Sequence, residues 1–183
     1  MKIRVIAGKY KGRKLAFPLS SDLRPTKDSV KEAAFSIIGE NIENANFLDL
    51  FAGIGSIGIE AASRGASKVT FVDNNVNSLS FIYKNTLFVE EEIKIINENY
   101  KDFLIKNRDI EAFDIVYIDP PYEENIKKIY EEAIRANIVK KHSIIVLESS
   151  KNLDQTSFET PNSKVNKYKF GKTFLYVIKR SEK

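Results

Sequence analysis

Residues 46–73 read NFLDLFAGIGSIGIEAASRGASKVTFVD, and this run decides the fold. An apolar stretch, FLDLF (47–51), leads into Gly53-Ile54-Gly55-Ser56-Ile57-Gly58. A helix-forming segment and a second apolar stretch, KVTFV (68–72), follow, and Asp73 closes the run. Strand, glycine loop, helix and strand in that order form one βαβ unit. The acidic residue 20 positions after Gly53 completes the spacing of an adenosine-binding fingerprint.

Outward from this unit the alternation continues. Further strand-like runs fall at 93–97, 113–118 and 143–148, with helical stretches at about 56–64, 75–88, 100–107 and 124–136. Short apolar strands alternating with helices predict an α/β, doubly wound, mostly parallel sheet buried on both faces. Near the end, 164–170 and 173–179 flank Gly171-Lys172, a two-residue hairpin signal. At the start, IRVIA (3–7) and RKLAF (13–17) read as a β-hairpin turning on Gly8 to Gly12. Thr26 stands where a helix N-cap belongs, before Val30, Ala33, Ala34, Ile37 and Ile38 at helical spacing, with a stop near Gly39. The expected organisation is a basic hairpin arm over 1–25 and a sheet domain over 26–183.

At 183 residues, with 43% hydrophobic and 30% charged residues, the chain fits one globular domain. It has no cysteine and a single histidine, so disulfides, thiolate sites and multi-histidine metal sites are excluded and no metal is expected. No run approaches a membrane span, which makes the cytoplasm the expected location and a membrane partner unexpected. The net charge of +4 is unevenly spread. Residues 1–30 hold eight basic against two acidic residues, leaving 21 basic and 23 acidic for the remainder. A basic arm on a near-neutral body is a candidate phosphate-facing surface, with Lys9, Lys11, Arg13, Lys14 and Arg24 as its contacts.

The glycines allow close backbone approach to a ligand, and Asp73 can accept hydrogen bonds from a ribose diol. Both features suit a dinucleotide or S-adenosylmethionine. No Gly-Lys-Ser/Thr follows, which excludes a P-loop. Asp49 interrupts a central strand, where a carboxylate is costly without a partner. Its charge favours the ammonium and sulfonium of S-adenosylmethionine over an anionic pyrophosphate.

Asp119-Pro120-Pro121-Tyr122 follows the strand FDIVYI (113–118). Two prolines stop the strand and stiffen the loop, and ligands of open α/β sheets bind outside such carboxyl ends. A carboxylate, a fixed carbonyl and an aromatic face together suit methylation of an exocyclic amine. Asp119 and the Pro120 carbonyl accept its N–H bonds and free the lone pair. Tyr122 offers a stacking face for a splayed-out base.

These residues identify a resemblance. RVIAGKYKGRKL (4–15), LRPTKDSVKEAAF (23–35), LDLFAGIGSIGIEAASRGA (48–66), FDIVYIDPPY (113–122) and VLE (146–148) resemble the bacterial 16S ribosomal RNA (guanine(966)-N2)-methyltransferase family almost end to end. The resemblance implies a class I S-adenosylmethionine fold, with seven strands and the last antiparallel. It further implies a guanine of 16S ribosomal RNA, or of the assembling 30S particle, as substrate; a monomer is expected, though the sequence carries no signal of oligomeric state. Carried over by position, Phe51, Ala52, Gly53 and Gly55 line the cofactor, Asp73 holds the ribose and Asn99 lies against the adenine, with Asn74 and Tyr100 beside them as further cofactor contacts. Asp73 replaces the family's more usual Glu, and Tyr122 its Phe; both changes keep the chemistry. DPPY alone is shared with amino-methyltransferases of DNA, so an adenine-N6 enzyme is the alternative, and a non-catalytic RNA-binding assembly factor is another. A nicotinamide dehydrogenase leaves Asp119 without a role. His142 reads as a loop residue and Glu148 as a structural partner near the cleft.

Overall fold

The computed structural model describes residues 3–18, 26–121 and 123–181. A short antiparallel pair, β1 (Ile3–Arg4) and β2 (Lys14–Leu15), precedes α1 (Asp28–Ile38). Then follow β3 (Asn46–Asp49), α2 (Ser56–Ser63), β4 (Lys68–Asp73), α3 (Val76–Thr86), β5 (Glu92–Asn97), α4 (Tyr100–Lys106), β6 (Phe113–Ile118), α5 (Ile126–Arg135), β7 (Val139–Ser149), β8 (Ser163–Phe170) and β9 (Thr173–Arg180). The seven long strands form one sheet in the order β5-β4-β3-β6-β7-β9-β8, and only β9 runs against the others. The expected α/β sheet with an antiparallel last strand is what forms.

Strand residues alternate between two cores. Phe47, Phe71, Ile115, Val146 and Val177 face α1, α2 and α3, whereas Leu48, Val72, Val116, Ile145 and Tyr176 face the side of α4 and α5. Period-2 alternation with both faces covered explains why these strands read as unbroken apolar runs.

Three local expectations are corrected. The hairpin runs 3–7 and 13–17 form a strand ladder over only two residues each; Val5 continues the pairing through bonds with Arg13 and Gly12, and Lys9 and Tyr10 at the tip bond to Ser63 instead. β7 begins at Val139 rather than 143, which puts exposed His142 inside a strand at the end of the sheet away from the glycine loop. Thr26 does not cap α1; Lys27 is the N-cap, with no side-chain bond to the helix. The hydroxyl of Thr26 is used elsewhere.

The arm is bound to the body by polar contacts that no local pattern announced. Glu60 on α2 accepts the backbone N–H groups of Ile6 and Ala7 at 2.8 and 3.0 Å. Ser63 accepts from the Tyr10 N–H at 2.9 Å and donates to the Ala7 carbonyl at 2.6 Å. Asn85 on α3 exchanges two bonds with Ala16 and donates a third to the Ile54 carbonyl in the glycine loop. A Cβ on Gly8 would stand 1.8 Å from the Ser63 carbonyl oxygen, so only glycine allows this approach. The proposed boundary at residue 25 lies outside the described residues.

Candidate active site

The site forms where β3 and β6, central neighbours in the sheet, end side by side. Asp49 pairs in register with Tyr117, and the Leu50 N–H donates to the Tyr117 carbonyl at 3.0 Å. From there Ala52 bonds to the Val72 carbonyl, and the chain turns through Gly53 and Gly55 at φ of 54° and 82°. It enters α2 at Ser56.

Asp73 shapes that turn. Its Oδ2 accepts the Gly53 N–H and its Oδ1 the Asn75 N–H, both at 2.8 Å. Burial raises its carboxyl above the ordinary range, against the opposing pull of these N–H groups. A Cβ on Gly53 would meet nothing within 4 Å, so this backbone borders open space.

Asp49 is 2% exposed and accepts the Gly58 N–H at 3.0 Å, taking one of the orphan donors at the start of α2. Burial pushes its carboxyl up to about 7, and the nearby Asp73 charge adds to the shift. Its negative charge already fills the helix N-terminus, where a pyrophosphate would otherwise sit.

The strand period then gathers three acids. Asp49 lies two residues after Phe47, Asp119 two after Tyr117, and Glu148 two after Val146, so all three leave the sheet on the face covered by α1 and α2. Ile118 pairs with Leu147, which sets Asp119 beside Glu148. Burial drives the Asp119 carboxyl well above its usual range, and the charges of Glu148 and Asp49 push it further. Glu148 is raised chiefly by burial, while hydrogen bonds from Tyr117 and Thr26 act against that rise. Thr26 lines the same cleft, and its hydroxyl, with a single hydrogen to give, opposes the rise at either carboxylate.

A cleft of about 1590 Å³ runs over these groups. Its walls include Phe51, Gly53, Asp73, Asn74, Asn99 and Tyr100 on one side, and Asp119, Pro120, Pro121 and Glu148 on the other. The Tyr100 ring lies 5.3 Å from that of Phe51, making an aromatic wall. Asn99 caps α4 by accepting the Asp102 N–H at 3.0 Å and also bonds the Asp102 carboxylate. Among the described residues no group of acidic or imidazole side chains could hold a metal ion, and no helix is long and apolar enough to cross a membrane.

Of the expected cofactor-facing residues, all but Gly55 share one cleft with Asp119, Pro120 and Pro121, while Gly55 faces the Phe71, Ile59 and Ile82 side chains of the core. Tyr122 and Arg24 lie outside the described residues. Lys11, Arg13 and Lys14 are exposed, but Lys9 is already paired with Glu90 and Glu91 at 2.9 and 3.2 Å. Its charge is thus partly balanced within the chain, while the side chain stays exposed. Glu148 was read from the sequence as a structural partner, yet it lines the cleft. Its position two residues after Val146 was the available signal.

This donor set fits an adenosyl ligand carrying positive charge: open space along Gly53, a carboxylate at the ribose position, an aromatic wall, and a buried acid with one N–H partner. The family described as "Conserved hypothetical protein 95" matches residues 3–179. A Haemophilus influenzae protein named ribosomal RNA small subunit methyltransferase D is 38% identical over 157 residues, covering 82% of this chain and 80% of that one. A Bacillus subtilis protein, "Putative rRNA methyltransferase YlbH", is 30% identical over 97% of this chain and 99% of its own length. Among solved structures, a putative methyltransferase, yhhF, from Escherichia coli superposes with a TM-score of 0.85 at 27% identity, covering both chains fully.

Proposed function

Since the chain belongs to this family of class I S-adenosylmethionine-dependent methyltransferases, we propose that it methylates the exocyclic N2 amine of a guanine in 16S ribosomal RNA. One observation carries the reading. The glycine loop of β3 and the Asp119-Pro120 corner of β6 open side by side into one cleft, because their strands are paired in register.

Phe51, Ala52, Gly53, Gly55, Asp73, Asn74, Asn99 and Tyr100 would hold S-adenosylmethionine, with Asp49 beneath its cationic part. When bound, the cofactor supplies an electrophilic methyl group on a sulfonium. The chain's own task is to make a poor nucleophile competent. The guanine amine delocalises its lone pair into the ring. Asp119 and the Pro120 carbonyl accept its two N–H bonds and favour a pyramidal nitrogen with the lone pair free. Proline at 120 and 121 denies the loop backbone N–H groups and restricts its torsions, so the acceptors are pre-positioned. Charge develops on the nitrogen as it reacts, and the three acids at this corner favour that charge. Asp119, whose carboxyl is pushed up by burial and its neighbours, then takes the amine proton. Fixing the base at the corner adds the proximity contribution. Exposed Lys11, Arg13 and Lys14 on the arm give an electrostatic grip on RNA phosphates that positions without reading sequence.

The test is methyl transfer from tritiated S-adenosylmethionine to 16S ribosomal RNA, to 30S particles and to duplex DNA, with the product nucleoside identified by mass spectrometry. N2-methylguanosine from RNA or particles is the expected product. N6-methyladenine in DNA, or no transfer to any substrate, would overturn the proposal.

A further inference from the structure

We infer that Glu148 selects guanine by accepting a hydrogen bond from its ring N1–H while the neighbouring Asp119 holds the N2 amine. The inference rests on the guanine-N2 reading above and gives a specific part in that reaction to a residue whose sequence position near the cleft leaves a structural partner and a site role both open.

Three features of the structure carry it. Glu148 follows Leu147, and Asp119 follows Ile118, the in-register partner of Leu147, so the two carboxylates leave adjacent parallel strands at one level and on one face. Second, Glu148 is anchored. The buried hydroxyl of Tyr117 donates to its Oε2 at 2.6 Å, which fixes the carboxylate at the floor of the cleft rather than leaving it to solvent. Third, Glu148 is the better acceptor of the pair. Thr26 opposes the effect of burial at both acids alike, but Tyr117 donates to Glu148, whereas Asp119 is driven higher by burial and by the Glu148 and Asp49 charges. An ionised carboxylate accepts hydrogen bonds and donates none.

Two anchored carboxylates side by side match a base edge with two adjacent donors. Guanine has that edge, since its N1–H adjoins its N2 amine. Adenine sets an acceptor, N1, next to its N6 amine, and cytosine sets N3 next to its N4 amine. With its amine at Asp119, either base would turn a lone pair toward Glu148. The Asp-Pro-Pro-Tyr run alone does not separate the three amines; a second acid beside it does.

The experiment uses 16S ribosomal RNA in which the methylated guanine, located by mass spectrometry, is replaced by 2-aminopurine through splinted ligation. That base keeps the 2-amine but has a lone pair at N1. The wild-type protein should prefer guanine in kcat/KM by about 100-fold or more, since a buried polar group is left unpaired by the analogue. Glu148→Gln, whose amide can donate to N1, should narrow that preference at least tenfold while S-adenosylmethionine affinity stays within twofold. Tyr117→Phe, which releases the anchor but keeps the charge, should lower kcat/KM for guanine several-fold and retain the rejection of 2-aminopurine. A preference that is unchanged in Glu148→Gln, or absent in the wild type, overturns the role of Glu148 and leaves the guanine reading intact. Methyl recovered on adenine N6 or cytosine N4, or on no base at all, overturns that reading and this inference together.

Discussion

Lys31 and Glu60, neither of them exposed to solvent, form an ion pair of 3.3 Å between the first helix and the helix that follows the glycine loop. Lys31 also donates to the Arg4 carbonyl at 2.8 Å and to Ser56 at 3.1 Å, while Glu60 holds the arm backbone and Arg64. The pair therefore joins the basic arm, α1 and the start of α2 into one unit behind the cofactor side of the cleft. Burial lowers the Lys31 pKa, with Glu60 opposing that shift.

Lys31→Met should destabilise the fold by about 1–3 kcal/mol, because it removes one of the two cations from a buried carboxylate that keeps Arg64 and the arm N–H groups. The urea unfolding midpoint reads this directly, and a loss below about 1 kcal/mol would show that the pair is dispensable.

Gly53 and Gly58 should respond to alanine in different ways. At Gly58 a Cβ would lie 2.2 Å from the Phe71 ring, so Gly58→Ala pushes α2 off β4 and costs about 1–3 kcal/mol. At Gly53 the Cβ enters open space from φ of 54°, so Gly53→Ala costs about 1 kcal/mol in backbone strain. Its larger effect should be a loss of S-adenosylmethionine affinity of tenfold or more by calorimetry. Equal losses of stability with cofactor binding intact would contradict this view of the loop.

Asp119→Asn should lower kcat by about 10³-fold, the scale set by losing one preorganised electrostatic contact, with cofactor affinity unchanged. In the wild type, burial and neighbouring charge raise the carboxyls of Asp119 and Glu148. Both are protonated at lower pH, where each becomes a weaker acceptor and loses the charge that favours the reacting amine. The single-turnover rate should therefore climb with pH and level off once the pair has ionised. A rate that falls as pH rises would reverse the assigned role of Asp119.

Asp49 supplies a second pH dependence, with its carboxyl raised from 3.8 to about 7. Below that value it holds a proton that a cationic ligand must expel. S-adenosylmethionine affinity should thus fall up to tenfold per pH unit below about 7 and be flat above about 8. The free protein shows the opposite trend in stability. A raised carboxyl pKa means the folded state binds the extra proton, so this group's contribution improves as pH falls from 7 toward 4. Asp49→Asn should abolish the pH dependence of affinity and stabilise the free protein at pH 8 by at most about 4 kcal/mol. Differential scanning calorimetry at pH 5 and pH 8 separates this from a general effect of the substitution.

Much of this architecture was legible from local pattern. Strands buried on two faces leave continuous apolar runs, and the glycine loop with Asp73 marks a strand-to-helix turn whatever surrounds it. The expected strands 68–72 and 113–118 form as 68–73 and 113–118, and the expected helix 100–107 ends one residue earlier. Errors gathered where a side chain's partner lies far along the chain. Thr26 carries a cap's local signature, yet it lines the cleft with Asp119 and Glu148, more than 90 residues away, and Lys27 is the N-cap. Lys9 stands among basic residues in the sequence, yet its ion-pair partners Glu90 and Glu91 lie more than 80 positions on.

The linear order of residues, then, determined the sheet, its glycine turn and the acidic Pro-Pro corner, because each depends on torsional preference and short-period burial. Tertiary structure decided which acids stand together, which lysine is buried and which is neutralised. Those outcomes depend on parallel strands entering in register and on α1 lying across their ends, a juxtaposition of segments that no window of sequence contains.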